Sequence, residues 1–181
     1  MIVHTEVSNM NRTRKVLIAD DEIKVGQLVK RLIQWDKLGL TCIGLVTDGQ
    51  TAYEKILSES PDIVITDIRM PVLTGLEMIQ KASEQGVKCH FIVVSGYKYF
   101  DYAQKALKYG VEDYLLKPID EDELNGQLQK IVAEEEQRED RQQKVDQIEK
   151  KLEDSKYLRH KEFLKQIISQ KQENIDAAFG D

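Results

Sequence analysis

Apolar residues along this chain follow two different periods. Five short runs rich in β-branched or aromatic residues, 15–19, 41–46, 62–66, 90–94 and 113–116, have the length and composition of strands. Between them lie stretches with helical spacing: 22–35, with Ile23, Leu28, Leu32 and Trp35 placed for one face, then 51–58, 75–85 and 99–109. A further helix opens at Asp120, with Leu124, Leu128, Ile131 and Val132 on its inner face. Strands that alternate with helices in this way predict an α/β fold whose parallel sheet is covered by helices on both sides.

The pattern changes after about residue 120. All three prolines and eight of the ten glycines precede that point, so the turns concentrate there. Residues 1–120 carry 15 Lys/Arg against 16 Asp/Glu, whereas residues 121–181 carry 11 against 16 and have only Gly126 and Gly180. This acidic end reads as extended helix rather than as a second globular core. The expected organisation is an N-terminal extension at 1–13, a globular domain at 14–133 and a helical linker at 134–181. Stepping by sevens from Ile131 reaches Arg138, Val145, Leu152 and Arg159, with Ile148 and Ser155 at the intervening positions, so about two heptads are apolar at both places. Residues 133–145 hold no apolar side chain between Ala133 and Val145, which suits a solvated helix with charge pairs one turn apart. A further apolar stripe at Phe163, Leu164, Ile167 and Ile168 needs burial, and tips the expectation to a candidate coiled coil and a homodimer.

With 181 residues, 41% of them apolar and 32% charged, the chain is long enough for one well-buried domain. No apolar run approaches the roughly 20 residues that cross a bilayer, and residues 1–15 lack the apolar core of a secretory signal. Cys42 and Cys89 have no metal-type spacing. The expectation is therefore a reduced, cytoplasmic setting without membrane contact, with both cysteines as packing residues.

Polar residues follow four of the five predicted strands: Asp20, Asp21 and Glu22 after the first, Asp67 after the third, Ser95 before Gly96 after the fourth, and Lys117 before Pro118 after the fifth. In open parallel sheets the carboxyl ends of the strands are where ligands bind, so these groups are expected to converge on one edge. Crowded carboxylates repel one another unless a cation neutralises them, and Mg²⁺ fits best because it takes a few carboxylates and keeps several waters. An anionic nucleophile, a metal, a lysine and a hydroxyl are the parts needed to accept a phosphoryl group.

The segments Val16-Leu17-Ile18-Ala19-Asp20-Asp21-Glu22, Pro61 to Pro71 with Gly75-Leu76-Glu77, Ser95-Gly96-Tyr97, and Asp113-Tyr114-Leu115-Leu116-Lys117-Pro118 resemble the receiver domain of bacterial two-component response regulators. The resemblance covers residues 14–133. It implies a doubly wound, flavodoxin-like sheet of five parallel strands in the order 2-1-3-4-5, followed by a C-terminal helical extension. It further implies that Asp67 is phosphorylated by a sensor histidine kinase, and that Asp20, Asp21 and Asp67 hold Mg²⁺ with the backbone carbonyl of Arg69. Ser95 and Lys117 would bind the phosphoryl oxygens, Ser95 and Tyr114 would switch together, and the Lys117–Pro118 peptide bond would be cis. Such a domain is a switch and not an enzyme beyond its own phosphoryl transfer and dephosphorylation. Within the family, Trp35 to Leu40, the stretch around Phe100, Tyr102 and Ala103, and Gly110 to Asp120 are similar to the YesN-like subclass, which joins its receiver to an AraC-type DNA-binding domain. Lys161 to Ser169 also resembles the linker of that subclass. The chain is thus expected to be the receiver and linker of a longer transcription regulator, touching DNA only through that effector; the alternative is a stand-alone receiver that regulates a protein partner.

Each residue also has a plainer reading. Asp20-Asp21 before a helix can be an N-cap, Asp67 a turn residue, Ser95 the serine of a Ser-Gly turn, and Tyr114 a half-buried strand aromatic. What favours chemistry is their joint placement at one sheet edge. His4, His90 and His160 are dispersed and form no ligand cluster. A haloacid-dehalogenase-like phosphohydrolase would need a second aspartate where Arg69 stands, and a flavodoxin-type flavin site would need a small-residue loop where Asp20-Asp21-Glu22 stands.

Overall fold

Side chains alternate from face to face along a strand, and this alternation divides the interior into two layers. The computed structural model describes residues 12–96 and 113–179, and the chain forms two units, Met1–Val132 and Ala133–Asp181. The first unit contains β1 (Arg14–Ala19), β2 (Leu40–Val46), β3 (Ile63–Asp67), β4 (His90–Ser95) and β5 (Asp113–Leu116) in one parallel sheet of order β2-β1-β3-β4-β5. This is the doubly wound, flavodoxin-like arrangement the sequence led us to expect. The helices are α1 (Ile23–Leu32), α2 (Trp35–Leu38), α3 (Gly49–Glu59), α4 (Gly75–Glu84) and α5 (Glu121–Phe179), the last contributing its residues up to Val132 to this unit. The predicted helix at 99–109, and the motif residues between 97 and 112, lie outside the described residues.

On one face of the sheet Leu17, Val64, Phe91 and Val93 pack with Ala52 and Ile56 of α3 and Met78, Ile79 and Ala82 of α4. On the other, Val16, Ile18, Ile63, Ile65, Ile92 and Val94 pack with Val29 of α1 and with Leu124, Leu128, Ile131 and Val132 of α5. Each large side chain fully buried in these layers contributes roughly 1.5–3 kcal/mol.

Of the face expected for the first helix, Leu32 and Trp35 do pack against this second layer, but the other two positions require correction. Ile23 and Leu28 are 54% and 47% exposed, and the buried residues are Gly26 and Val29, followed by Ile33 just past the helix end. Gly26 faces the Leu45 side chain of β2, so the helix meets the sheet through its smallest residue. A pattern that weights large apolar residues cannot find such a face. The helix also ends three residues before Trp35. Asn125 of α5 is the reason: its Oδ1 accepts from the Gln34 N–H at 2.9 Å and its Nδ2 donates to the carbonyls of Leu32 and Glu121, each at 2.8 Å. Groups left unpaired at a helix end are thereby satisfied from far along the chain.

Between β3 and α4 runs a loop, residues 68–74. The Leu73 N–H donates to the Pro71 carbonyl at 2.7 Å, a three-residue turn whose central Val72 has φ 68° and is 83% exposed. A β-branched residue is strained there, by about 1–2 kcal/mol. Glycine removes that strain but loses about 0.5–1 kcal/mol through its freer unfolded chain. Val72→Gly is therefore expected to raise stability, by up to about 1 kcal/mol. Urea denaturation reads the change, and a clear loss would mean that the turn carries no strain.

In the second unit the described side chains of α5 form local pairs: Arg138 with Glu135 at 2.7 Å and Gln142 with Asp146 at 2.8 Å. Val145, Ile148 and Leu152 are exposed. The side chains of Phe163, Leu164, Ile167 and Ile168 lie outside the described ones. Among the described residues no helix is long and apolar enough to cross a membrane.

Candidate functional site

The chain leaves β1 towards β2 on one side and returns to β3 on the other, which opens a crevice at the carboxyl ends of β1 and β3. Asp20 and Asp21 follow β1, and Asp67 is the last residue of β3. One carboxylate oxygen from each of the three lies within 4.8 Å of the others. Lys117, which follows β5, donates from Nζ to Asp20 Oδ2 at 3.0 Å and to Asp67 Oδ2 at 3.1 Å. Two carboxylates, 97 and 50 positions before Lys117 in the sequence, therefore share its ammonium group. Lys117 is held at its backbone too, where its N–H donates to the Ser95 carbonyl at 2.9 Å, and the Lys117–Pro118 peptide bond is cis.

The backbone fixes both central carboxylates. Asp20 Oδ1 accepts from the Glu22 N–H at 2.9 Å, and Asp67 Oδ1 accepts from the Ile68 N–H at 2.6 Å. The N-cap of α1 is Glu22, without a side-chain cap, so the Asp20-Asp21 pair does not serve as the helix cap that its sequence context allows. Below the site, the buried Thr66 hydroxyl donates to the Asp67 carbonyl at 2.9 Å. Thr74 and Glu77 form a reciprocal capping box that starts α4 at Gly75. Thr66, Gly75 and this box support the site, yet composition and periodicity do not single them out; only the Thr-x-x-Glu spacing signals the box.

Arg69 lies in the 68–74 loop, two residues after Asp67, and its side chain is exposed. Ser95 ends β4 and is buried. Tyr114 stands on β5 opposite Val93 and packs on the layer that contains α3 and α4. Hydrogen bonds thus join Asp20, Asp67 and Lys117 at the centre, with Asp21 exposed at its rim.

Burial of Asp20, only 2% exposed, raises its carboxyl above the usual 3.8, although the Lys117 ammonium and the Glu22 N–H pull the other way. Burial also lowers Lys117, but the hydrogen bonds it donates to Asp20 and Asp67 outweigh this and leave the ammonium above its ordinary 10.5. Because the folded form holds the Asp20 proton more tightly than the unfolded chain, this group favours the fold at low pH. That contribution fades as pH rises from about 3.8 through the raised folded value. In metal-free buffer near neutral pH, Asp20→Asn should therefore raise the melting temperature while weakening the response to Mg²⁺. A lower melting temperature would show that pairing with Lys117 outweighs burial.

Three carboxylates on neighbouring strand ends form an oxygen-only donor set, which suits a hard divalent cation such as Mg²⁺ and not a thiophilic metal. A lysine beside a strand-end carboxylate supplies positive charge where an anionic group would be received.

Comparison with known proteins agrees with this arrangement. The family model for the response regulator receiver domain matches residues 16–129. The chain is similar to the transcriptional regulatory protein YesN of Bacillus subtilis, with 46% identity over 120 residues, covering 66% of this chain and 33% of YesN. It is 35% identical over 118 residues to the transcriptional regulatory protein HptR of Staphylococcus aureus, covering 65% of this chain and 46% of HptR. This chain thus spans between a third and a half of the length of these relatives. Among solved structures, the receiver domain of AraT, a response regulator from Geobacillus stearothermophilus, superposes with a TM-score of 0.66 at 36% identity, covering 70% of this chain and 98% of that one.

Proposed function

Because this chain belongs to the response regulator receiver domain family, we propose that Asp67 accepts a phosphoryl group from a phosphohistidine of a sensor histidine kinase, in a Mg²⁺-dependent step. The observation that carries this reading is the Lys117 ammonium shared between Asp20 and Asp67 beside the third carboxylate. An Asp67 carboxylate oxygen attacks phosphorus, an O–P bond forms, the N–P bond of the phosphohistidine breaks, and the imidazole leaves as it takes up a proton. Asp20, Asp21 and Asp67, with the backbone carbonyl of Arg69, would hold Mg²⁺, which supplies neutralising charge for the phosphoryl oxygens. Lys117 then pairs with the incoming phosphoryl group, the Ser95 hydroxyl donates to it, and Tyr114 changes rotamer as Ser95 moves. The domain is a switch that catalyses only its own phosphoryl transfer and loss.

The output of this switch is transcription, through an AraC-type DNA-binding domain linked to it by the helix at 134–181. The transcriptional regulators YesN and HptR, both longer than this chain, favour that reading over a stand-alone receiver acting on a protein partner. DNA contact falls to the effector, since the helical segment is net acidic with its basic residues interleaved.

The test is incubation of the chain with phosphoramidate, with Mg²⁺ or with EDTA, followed by intact-mass spectrometry. One added phosphoryl group is expected with Mg²⁺ only, and hydroxylamine should remove it as it does an acyl phosphate. No uptake, or a label stable to hydroxylamine, overturns the assignment. The exposed Val145, Ile148 and Leu152 stripe further supports a homodimer through the linker or the receiver surface. Sedimentation of the full chain against a form ending at Ala133 should show self-association only in the longer one, strengthened by phosphorylation. Monomers in both would make the segment a solvated connector.

A further inference from the structure

Gly49 begins α3, directly after Asp48, whose carboxylate accepts from the Thr51 N–H at 2.8 Å and caps the helix. The Gly49 N–H donates to the Pro71 carbonyl at 3.3 Å, and a Cβ at this position would lie 1.8 Å from the Leu73 carbonyl oxygen. Only a residue without a side chain lets α3 approach the 68–74 loop so closely. The far end of the loop is held in a similar way, since the Gly75 N–H donates to the Ile68 carbonyl at 2.9 Å. The strained turn at Val72 lies between Pro71 and Leu73, the two residues that Gly49 meets. Strain of that kind persists only where the surroundings over-determine the backbone. Ile68, Met70 and Leu73 of the loop are buried with Ala52 and Ile56 of α3, so helix and loop also share one apolar layer.

We propose that Gly49, with the capped first turn of α3, is a positioning residue for the segment that follows Asp67. It clamps the loop backbone to backbone and so sets the shape in which Asp67 and Arg69 are offered to a divalent cation. The proposal rests on the reading of Asp67 as a phosphoacceptor, but it acts on metal binding before any phosphoryl group arrives. Groups that orient ligands without touching the metal commonly change affinity by about 10–100-fold.

The experiment measures Mg²⁺ affinity by titration calorimetry and stability by urea denaturation for the wild type, Gly49→Ala, Asp48→Ala and Asp48→Asn. Gly49→Ala should weaken Mg²⁺ binding by about tenfold or more in protein that is still folded. Asp48→Ala frees the first turn of α3 and should weaken binding to a smaller extent. Asp48→Asn keeps a good cap and drops the charge, so it should bind Mg²⁺ as the wild type does. Wild-type affinity in both alanine variants overturns the proposal. Equal weakening in Asp48→Asn and Asp48→Ala also overturns it, because charge and not the clamp would then be responsible. If Gly49→Ala does not fold, the Asp48 pair decides alone. A wild-type chain that binds Mg²⁺ but takes no phosphoryl group from phosphoramidate defeats the phosphoacceptor reading and leaves the clamp to be judged on the affinities. One that binds no Mg²⁺ defeats both.

Discussion

Asp67→Ala should take up no phosphoryl group under conditions in which the wild-type chain takes up one. The expectation follows from position as much as from chemistry. Asp67 is the last residue of β3, where the pleat and the Ile68 N–H fix one carboxylate oxygen while the other faces Lys117 at 3.1 Å. Asp20 is the nearest rival as a nucleophile, but it is almost wholly buried and its raised pKa shows how poorly its charge is solvated there. Asp21 is exposed, and Lys117 pairs with Asp20 and Asp67 instead. Alanine removes the attacking oxygen outright, so the loss should be complete rather than graded. The fold should survive, because Lys117 keeps Asp20 as a partner and one carboxylate fewer eases the repulsion. Intact-mass spectrometry after treatment with phosphoramidate and Mg²⁺ reads the result directly. Labelling of Asp67→Ala to the wild-type extent would place the acceptor on another side chain.

The second large effect is on folding. Gly75→Ala would put a Cβ 2.0 Å from the Asp67 carbonyl oxygen and 3.0 Å from the Thr66 hydroxyl. The first is a backbone atom at the end of a buried strand and cannot swing aside as a flexible side chain would. Either α4 must move off β3, at the expense of the packing of Leu76, Met78 and Ile79, or the end of β3 must shift and carry Asp67 with it. Overpacking of a rigid site commonly costs about 1–3 kcal/mol, and a clash with backbone lies at or above the upper end of that range. Urea denaturation should show a loss of about 3 kcal/mol or more, with phosphoryl uptake impaired in whatever fraction remains folded. A stability change within about 0.5 kcal/mol, the range of ordinary surface substitutions, would mean that the contact between Gly75 and Asp67 relaxes freely.

Much of the fold was legible because strands and helices impose short periods on the sequence. The runs at 15–19, 62–66 and 90–94 alternate between the two apolar layers, and each strand observed there begins or ends within one residue of its run. Leu124, Leu128, Ile131 and Val132 were readable for the same reason, since a helix that buries one stripe repeats every three or four residues. The candidate site was legible because its carboxylates and lysine stand at or just beyond the carboxyl ends of strands, so locating the strands located the chemistry.

What the sequence by itself determined is therefore the five strands and most of the helices among the described residues, their parallel arrangement in two covered layers, and the identity of the polar groups at the strand ends. These are local properties, carried by backbone geometry and by residues near one another in the chain. Only the tertiary structure decided which groups meet. Asn125 closes the end of α1 from 93 residues away, Gly26 and Val29 rather than Ile23 and Leu28 are buried on that helix, Lys117 joins Asp20 to Asp67, and Gly49 holds the loop beyond Asp67. Each of these depends on strand order and on the closeness of two backbones, which place residues remote in sequence within hydrogen-bonding distance and leave no period for a linear reading to detect.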